Sequence, residues 1–488
     1  MVGGAPGSLV GIGRSAEEAG QGDPVAREIG TTWKTPVLLA PVRYLRGFVR
    51  RSPSRAAVLI FFVAAGLFTL LLKLPIASAD GRSAPLEDAV FTATSAVTVT
   101  GLTTVDTATQ WTFFGQVVIL LAIQAGGLGI VTVALLLMQA VTRHLGVQGR
   151  VFAQQNMGGA SQIGEVGRLL RTVVVTTLTI EAVLVLLLAP RFVMREEHWW
   201  EGLWSALFYG VSAFNNAGFV IHEGGLTPFE GDLWILVPIM LGVFVGSFGF
   251  PVFLTLIMHK WHRRKWNLHA KLTLATTTIL LAAGAIAWGV LEWGNEHTVG
   301  HLNPAEKAFH ALFASVMMRS GGFALTDTNE STPITLLVSD ALMFVGGGSA
   351  STAGGIKVAT LAVLFLGIVA EARGDRHVIA ARRRIPDGTL RLAISVTFLG
   401  ATLVLASTAL VMTVSNAPLD RILFEVISAF ATCGLSVGLS AELEPFGKYV
   451  LSMLMLAGRI GPISLAAALA LRQRNRLYTL PEERPIIG

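Results

Sequence analysis

The sequence predicts an all-α membrane protein in which four pseudo-symmetric repeats surround a common axis. Three observations lead to this fold class. The composition is 52% hydrophobic and 14% charged, with a mean hydropathy of +0.63, whereas soluble proteins contain about 25% charged residues. Eight apolar stretches are long enough to cross a bilayer. Four shorter apolar segments, each ending at a glycine, recur between them at separations of 117, 104 and 112 residues.

Two features of the composition argue against other classes of protein. The single cysteine, Cys433, excludes an internal disulfide and a cysteine-ligated metal site. The sequence also lacks the His-rich or paired-aspartate constellation that a membrane-embedded enzyme would need. We therefore expect no enzymatic activity, no cofactor or resident metal in this chain, and a lipid bilayer rather than nucleic acid as its surroundings.

The elements follow one another in a regular order. Residues 1–54 have no apolar core and are interpreted as a flexible cytoplasmic tail without a cleavable signal peptide. Because a spanning helix needs about 20 apolar residues, eight stretches qualify. They are residues 56–76, 112–138, 169–190, 233–258, 272–293, 335–370, 391–413 and 448–471. The sixth contains ten consecutive small residues, 346–355, which should break its helix.

Basic residues predict the orientation of these spans. They cluster before the first span, after the eighth, and in the linkers that follow spans two, four and six, for example at Arg46, Arg168, Lys260 and Arg383. The other connections carry acidic residues such as Glu196. Since Lys and Arg mark cytoplasmic loops, both termini are predicted to be cytoplasmic in a multi-pass protein of the cell membrane.

A fourfold repeat organises the outward-facing connections. The glycines that end the four short apolar pieces are Gly101, Gly218, Gly322 and Gly434. Ten positions before them stand Phe91, Phe208, Leu312 and Phe424, and six positions before them stand Ser95, Ser212, Val316 and Ser428. Three copies match, and the third is divergent but similarly spaced. A Gly-x-x-Gly pattern follows in three copies, at 126–129, 246–249 and 458–461, where the third copy has its run of small residues.

Each copy therefore consists of a helix, a short pore helix, a glycine loop and a second helix (M1-P-M2). After the tail, we assign residues 55–150 to repeat 1, 151–268 to repeat 2, 269–385 to repeat 3, and 386–488 to repeat 4 with a cytoplasmic C-terminus. Non-helical backbone at membrane depth is tolerated only where it lines a water-filled path or is buried in protein. Four such units around one axis predict a K⁺-channel-like architecture with a central ion pore.

The chemistry of these glycine segments suits a cation. Backbone carbonyls can replace the hydration shell of a permeating ion, and the C-terminal ends of the pore helices carry partial negative charge. No ring of carboxylates accompanies the four glycines, which favours a monovalent over a divalent cation. The predicted filter comprises four glycine segments: Thr98, Val99, Thr100 and Gly101; Asn215, Asn216, Ala217 and Gly218; Arg319, Ser320, Gly321 and Gly322; and Thr432, Cys433 and Gly434.

The break in the sixth span is a candidate gate, because small residues offer lipid no apolar surface and should face the pore below the filter. Its residues are Gly346, Gly347, Gly348, Ser349, Ala350, Ser351, Thr352, Ala353, Gly354 and Gly355. Lys357 follows it, and Arg459 lies within the Gly-x-x-Gly pattern of repeat 4. A charge at membrane depth usually faces a cavity or a partner, so both could bind loop carbonyls or repel cations. Glu181, in the middle of the third span, is given no role.

Several motifs resemble the Ktr/Trk/HKT superfamily of potassium transporters. They are TVTGL (98–102), AFNNAGF (213–219), RSGGF (319–323), GGGSASTAGGIK (346–357) and GRIGP (458–462), and the likeness runs from about residue 55 to the C-terminus. The chain is most similar to the ion-translocating Ktr subunit, KtrB, since the hydrophilic residues 1–50 cannot supply the additional N-terminal hydrophobic pair of the Trk subunit. The family's third filter usually reads Arg-Thr-Ala-Gly-Phe, so Ser320 and Gly321 depart from it and bear on selectivity rather than fold.

The resemblance implies properties that the residues alone do not. These are a K⁺ filter in four M1-P-M2 units, an intramembrane gating loop at 346–356 in the third unit, and a homodimer resting on a cytosolic ring of KtrA-like regulatory subunits. ATP and ADP would act through that ring, and Na⁺ could promote K⁺ uptake. A carrier with substrate bound between inverted repeats is the second hypothesis, but all four units have the same orientation, which favours a pore. Within the superfamily, a Trk-type or Na⁺-permeable transporter stays an open alternative.

Overall fold

The computed structural model describes residues 53–144, 165–259 and 262–471, and these ranges are mostly helical. The predicted tail therefore lies almost wholly outside the described residues, as do the closing residues 472–488. The helices are α1 (Pro53–Leu72), α2 (Leu86–Thr98), α3 (Thr107–Gln110), α4 (Phe113–His144), α5 (Glu165–Arg195), α6 (Trp199–Phe214), α7 (Leu233–Ser247), α8 (Phe250–His259), α9 (Leu268–Glu292), α10 (Pro304–Met317), α11 (Pro333–Phe344), α12 (Val358–Ala372), α13 (Asp387–Met412), α14 (Leu419–Ala431), α15 (Leu439–Glu442) and α16 (Pro445–Leu471). Strands β1 (Ile379–Ala380) and β2 (Arg383–Arg384) form one antiparallel hairpin.

A helix, or a pair of helices, occupies each of the eight stretches in which the sequence predicts a span. Among the described residues, three helices are long and apolar enough to cross a membrane: Arg171–Arg195 within α5, Leu268–Glu292 and Asp387–Met412. The bent pair α7 and α8 would make a fourth if it counts as one span. Shorter apolar helices, namely Val58–Leu72, Phe113–Gly129, α11 and α12, lie in the first, second and sixth predicted stretches.

The fourth predicted span, 233–258, is bent by 98° between α7 and α8 rather than continuous. Gly249 adopts a left-handed φ of +86°, and a Cβ there would overlap the carbonyl oxygen of Ser349. The backbone N–H of Phe250 donates to the carbonyl of Ala350 at 3.2 Å. The helix is thus interrupted where the residues 346–355 pack into it, and only a glycine allows that approach.

Four short helices, α2, α6, α10 and α14, carry the buried centre of the fold. Each packs against the longer helix that precedes it, namely α1, α5, α9 and α13 respectively. The aromatic residue ten positions before the segment glycine anchors three of them: Phe91, Phe208 and Phe424 are 0% exposed. In the divergent third copy, Leu312 is 36% exposed. The repeat signature in the sequence therefore marks core packing of the short helices.

Helix α16, the last described helix, packs against the first helices of the described chain. Its partners include α14 and also α1, α2 and α4. The side-chain ammonium of Lys448 in α16 lies 2.7 Å from a carboxylate oxygen of Asp88 in α2. The four short helices are consequently held in a closed arrangement, with their C-terminal ends and the glycine segments at its centre.

Candidate functional site

The four glycine segments meet at one place in the structure. A Cβ at Gly101 would overlap the carbonyl oxygen of Ala217, and one at Gly218 would lie 2.8 Å from the Cα of Gly322. A Cβ at Gly322 would lie 2.7 Å from the carbonyl oxygen of Cys433, and one at Gly434 would overlap that of Thr100. We number the four glycine segments 1 to 4 in chain order. Segment 1 therefore adjoins segment 2, segment 2 adjoins segment 3, segment 3 adjoins segment 4, and segment 4 adjoins segment 1. The backbones form a ring that leaves no room for side chains on these glycines.

All four segments share one backbone pattern. A non-glycine residue in the left-handed region is followed two positions later by a glycine with positive φ. The first residues are Val99, Asn216, Ser320 and Thr432, with φ of 55°, 60°, 71° and 46°. The glycines, Gly101, Gly218, Gly322 and Gly434, have φ of 94°, 69°, 74° and 95°. The recurrence of this pattern gives the four segments similar extended paths through the ring.

Hydroxyl groups of the short helices hold the segments in place. The N–H of Gly101 donates to Ser95 Oγ at 3.0 Å, and the N–H of Gly434 donates to Ser428 Oγ at 3.1 Å. In the second copy the hydroxyl is used differently, because Ser212 Oγ donates to the carbonyl of Phe219 at 3.0 Å. Val316 occupies this position in the third copy and has no hydroxyl. Segments 1 and 4 are therefore anchored alike, and segments 2 and 3 are not.

The first glycine of each Gly-x-x-Gly pattern lies over the end of a short helix. A Cβ on Gly126 would overlap the carbonyl oxygen of Val97, and Gly246 and Gly458 stand in the same relation to Phe214 and Phe430. These carbonyls belong to residues four positions before the segment glycines. The pattern in the sequence thus indicates close packing of a long helix behind each of segments 1, 2 and 4.

Residues 346–356, here called the glycine-rich loop, connect the end of α11 to the start of α12. The two ends of the loop lie next to each other. Val345 and Ile356 form a parallel bridge at the base, and the N–H of Val358 donates to the carbonyl of Gly347 at 3.1 Å. The loop also fills the bend between α7 and α8, where the N–H of Gly348 donates to the carbonyl of Ser247 at 2.8 Å. It is therefore a compact, buried unit and not an interrupted helix.

The glycine-rich loop touches three of the glycine segments. Thr352 Oγ1 lies within hydrogen-bond distance, 3.0 Å, of both Asn216 Oδ1 and the carbonyl oxygen of Gly246. The N–H of Gly354 donates to Ser320 Oγ at 3.3 Å, and that hydroxyl donates to the carbonyl of Thr432 at 2.7 Å. Ser320 of segment 3, one of the residues that depart from the family pattern, thus links the loop to segment 4. Gly354 also lies directly against segment 4, because a Cβ there would overlap Thr432 Oγ1.

Three basic side chains bind carbonyl groups of the glycine-rich loop. Lys357 Nζ lies 2.5 Å from the Ala353 carbonyl oxygen and 3.4 Å from that of Gly354. Arg459 Nη1 donates to the carbonyl of Thr352. Arg319, predicted as part of a glycine segment, lies on it, but its guanidinium donates to the carbonyl of Gly346 at 2.9 Å. The loop is held by basic side chains that come from three places in the chain, and two of them, Arg319 and Arg459, are only 3% and 2% exposed.

Sequence reasoning missed two polar arrangements around this site. Glu181, Gln124 and Asn215 form a buried hydrogen-bonded triangle behind segment 2. In the second arrangement, Tyr209 Oη is hydrogen-bonded to His222 Nδ1 at 2.8 Å, and the other imidazole nitrogen of His222 is hydrogen-bonded to Glu196. A carboxylate in the middle of an apolar span was the one available signal for the first arrangement. Within the described ranges no cluster of three or more His, Cys, Asp or Glu residues could hold a metal ion.

Comparison with known proteins identifies the family and a similar fold. Residues 50–476 match the family described as TrkH, cation transport protein. The Ktr system potassium uptake protein B of Vibrio alginolyticus is 36% identical over 86% of this chain and 91% of its own length. The potassium/sodium uptake protein NtpJ of Enterococcus hirae is 31% identical over 87% of this chain and 96% of its own length. The crystal structure of the potassium transporter TrkH from Vibrio parahaemolyticus shares the fold, with a TM-score of 0.68 at 15% identity, covering 86% of this chain and 84% of that one.

Proposed function

The chain belongs to the TrkH family of cation transport proteins, and from this premise we propose that it is the pore-forming subunit of a Ktr-type K⁺ uptake system in the cell membrane. One observation carries the proposal: the four glycine segments form a closed ring of backbone at the centre of the helices. The names of the similar Ktr proteins, which describe potassium uptake, supply the cation.

The glycine segments act as the filter in this proposal. Carbonyl oxygens of four M1-P-M2 units replace the hydration shell of K⁺, a task suited to an ion of low charge density. The short helices point their C-terminal ends at the same region, where their partial negative charge favours a cation. The segments themselves contain no Asp or Glu, so selection rests on the spacing of the backbone oxygens and on what holds the backbone in place.

The glycine-rich loop acts as the gate. It bonds to segment 2 through Thr352 and to segment 3 through Gly354, so passage of an ion requires it to withdraw. Lys357 and Arg459 stabilise the closed position by binding its carbonyls, and their charges oppose cation entry while the loop is in place. Opening exchanges these contacts for others, or for water.

The regulatory partner lies on the cytoplasmic side in this proposal. The relatives' designation as Ktr system proteins implies a multi-component transporter. We propose a homodimer with cytoplasmic termini that rests on a KtrA-like nucleotide-binding ring, with ATP and ADP bound there and Na⁺ as an activator. The basic linkers after spans two, four and six would face this ring.

Rescue of a bacterial strain that lacks its own K⁺ uptake systems tests the proposal. Expression of this chain should restore growth at submillimolar K⁺, and co-expression of a KtrA-like subunit should raise the initial rate of K⁺ uptake. An empty vector is the control. If growth is not restored with or without the partner, while the protein is present in the membrane, the proposed function is wrong.

A Na⁺-permeable transporter is the second candidate, because one relative at 31% identity is named a potassium/sodium uptake protein. Ser320 and Gly321 of segment 3, where the family pattern has threonine and alanine, bear on the same question of selectivity. Initial rates of ²²Na⁺ and ⁸⁶Rb⁺ uptake in the same cells separate the two. Uptake of Na⁺ at a rate similar to that of Rb⁺ would favour this second function.

A further inference from the structure

Segment 2 is braced by a polar network centred on the side chain of Asn215. Glu181 in α5 is 4% exposed and Asn215 in segment 2 is 0% exposed. Asn215 Nδ2 donates to Glu181 Oε1 at 2.9 Å, and Gln124 Nε2, in α4, donates to Glu181 Oε2 at 3.1 Å. Asn215 Nδ2 also lies 3.1 Å from Gln124 Oε1. The three side chains close a triangle that joins α4, α5 and the segment.

The carboxyl group of Glu181 serves this network alone. Both of its oxygens act as acceptors, and no Lys, Arg or His in the described part of the chain forms an ion pair with it. A buried carboxylate without a cation is costly unless hydrogen bonds satisfy it, so its presence in an apolar span calls for a function. Because the Glu181 oxygens accept hydrogen bonds, the amide of Asn215 must point its nitrogen toward Glu181. A rotated amide would instead place Asn215 Oδ1 against a carboxylate oxygen.

Gly127 in α4 makes room for the other end of the same amide. Asn215 Oδ1 has no hydrogen-bond partner and rests against Gly127, where a Cβ would overlap it. The Asn215 side chain is therefore clamped between α4 on one side and Glu181 on the other. Its neighbour Asn216 has a left-handed φ of 60° and accepts a hydrogen bond from Thr352 of the glycine-rich loop. The clamp acts on the residue directly before this strained turn.

The other segments are held differently at the corresponding position, three residues before the glycine. Thr98 donates to the Thr94 carbonyl of its own helix, as Asn215 does to that of Val211 at 3.0 Å, but of these two residues Asn215 alone also bonds to α4 and α5. Ala431 has no polar side chain, and Arg319 binds the glycine-rich loop. Segments 1 and 4 instead have the serine-to-glycine bond that segment 2 lacks. The network supplies the missing brace.

We propose that Glu181 and Gln124 are positioning residues that fix segment 2 through Asn215 and so help to determine which monovalent cation passes. This proposal rests on the proposed function, since it assumes that the glycine segments form the filter. A carbonyl ring discriminates K⁺ from Na⁺ through the distances between its oxygens, and releasing one of four segments changes those distances without removing any oxygen.

Paired substitutions on the two sides of Asn215 test the proposal in cells that depend on this chain for K⁺. Glu181→Leu removes both acceptors, and Gly127→Ala displaces the amide from the opposite side while leaving Glu181 intact. We expect each to lower the ratio of K⁺ to Na⁺ uptake about fivefold or more and to raise the KM for K⁺. Glu181→Gln keeps an acceptor for Asn215 and should stay within about twofold of the wild type.

Two matched controls share the helices of these variants. Thr179→Val removes a polar group from the exposed face of α5, where the hydroxyl bonds only to its own helix. Gly129→Ala adds a methyl group to α4 where nothing lies within 4 Å. Both should retain the wild-type uptake ratio. Membrane abundance of each variant is measured by immunoblot, so that a poorly inserted Glu181→Leu leaves Gly127→Ala to decide.

Two results would overturn the proposal. Wild-type uptake ratios and KM in Gly127→Ala would show that segment 2 does not depend on the clamp. An equal loss in Glu181→Gln and Glu181→Leu would show that the charge, and not the hydrogen bond to Asn215, is what matters. Failure of the proposed function is distinguishable from both, because the wild-type chain itself would then take up no K⁺ in the same assay.

Discussion

Val99 and Thr432 are β-branched residues held in the left-handed region, with φ of 55° and 46°. This conformation is unfavourable for such side chains and costs on the order of 1–3 kcal/mol for each residue. Their N–H groups are fixed by the carbonyls of Ala96 and Ala429, three positions earlier. Strain of this kind persists only where the surroundings impose it. The same strain occurs at equivalent positions in two segments beside the ring of glycines. This recurrence indicates that the backbone conformation there serves a function.

Gly101→Ser tests the need for bare backbone in the ring. The new Cβ would overlap the carbonyl oxygen of Ala217 and push segments 1 and 2 apart. We expect K⁺-over-Na⁺ discrimination to fall about tenfold, equivalent to about 1.4 kcal/mol, in radiotracer uptake assays. Gly81→Ser is the matched control, since Gly81 also has a positive φ, of 63°, but open space around it. Unchanged Na⁺ exclusion in Gly101→Ser would contradict the role of this segment in the filter.

The glycine-rich loop behaves as one element because both of its ends are tied at the same point. Val345 and Ile356 pair at its base, and small residues fill the interior between α7, α8 and the segments. Contacts across the loop come from single hydrogen bonds of hydroxyl and basic side chains, not from apolar packing of large residues. Such contacts are worth about 0.5–1.5 kcal/mol each, so a small number of them can set the balance between open and closed positions.

Thr352→Val removes the hydroxyl that links the loop to segment 2 while keeping the shape of the side chain. Loss of about 1 kcal/mol from the closed position should raise K⁺ uptake without the regulatory partner about fivefold, measured as the initial ⁸⁶Rb⁺ rate. Ser351→Ala is the control, because the Ser351 hydroxyl bonds only to Gly348 within the loop. An uptake rate that does not exceed that of Ser351→Ala would argue that this bond does not hold the gate closed.

The sequence predicted the elements of the site better than the contacts between them. Repeat spacing identified the four glycines and the break near residue 346, and the structure brings these residues together; their roles as filter and gate remain predictions. The bend at Gly249 was not predicted, because it forms where Ser349, 100 positions further along the chain, packs into it. The guanidinium of Arg319 and the partners of Glu181 were missed for the same reason. Hydropathy and spacing describe one stretch at a time, whereas these contacts join residues far apart in the chain.

The closed arrangement of the described helices depends on α16, which packs against α1, α2 and α4. The ion pair between Lys448 and Asp88 joins residues 360 positions apart, and Thr104 Oγ1 donates to the same carboxylate oxygen at 2.7 Å. Both ionised side chains are little exposed, at 12% and 11%. A ring of four segments is defined only if its last member stays beside its first, so this pair stabilises the geometry on which all four segments depend.

A double-mutant cycle on Asp88 and Lys448 measures this closure. Lys448→Met leaves the Asp88 carboxylate largely buried with one hydrogen-bond donor fewer. We therefore expect the free energy of unfolding to fall by about 1.5–3 kcal/mol, as measured by denaturant titration in detergent micelles. Adding Asp88→Asn should recover part of that loss, because the uncompensated charge is then removed. Arg384 and Asp387, paired at 3.2 Å with more than half of each side chain exposed, provide the control cycle, with an expected coupling under about 1 kcal/mol. If the two cycles give equal coupling energies, the pair at the junction of α2 and α16 is an ordinary surface contact, and closure must rest on the apolar packing of α16 alone.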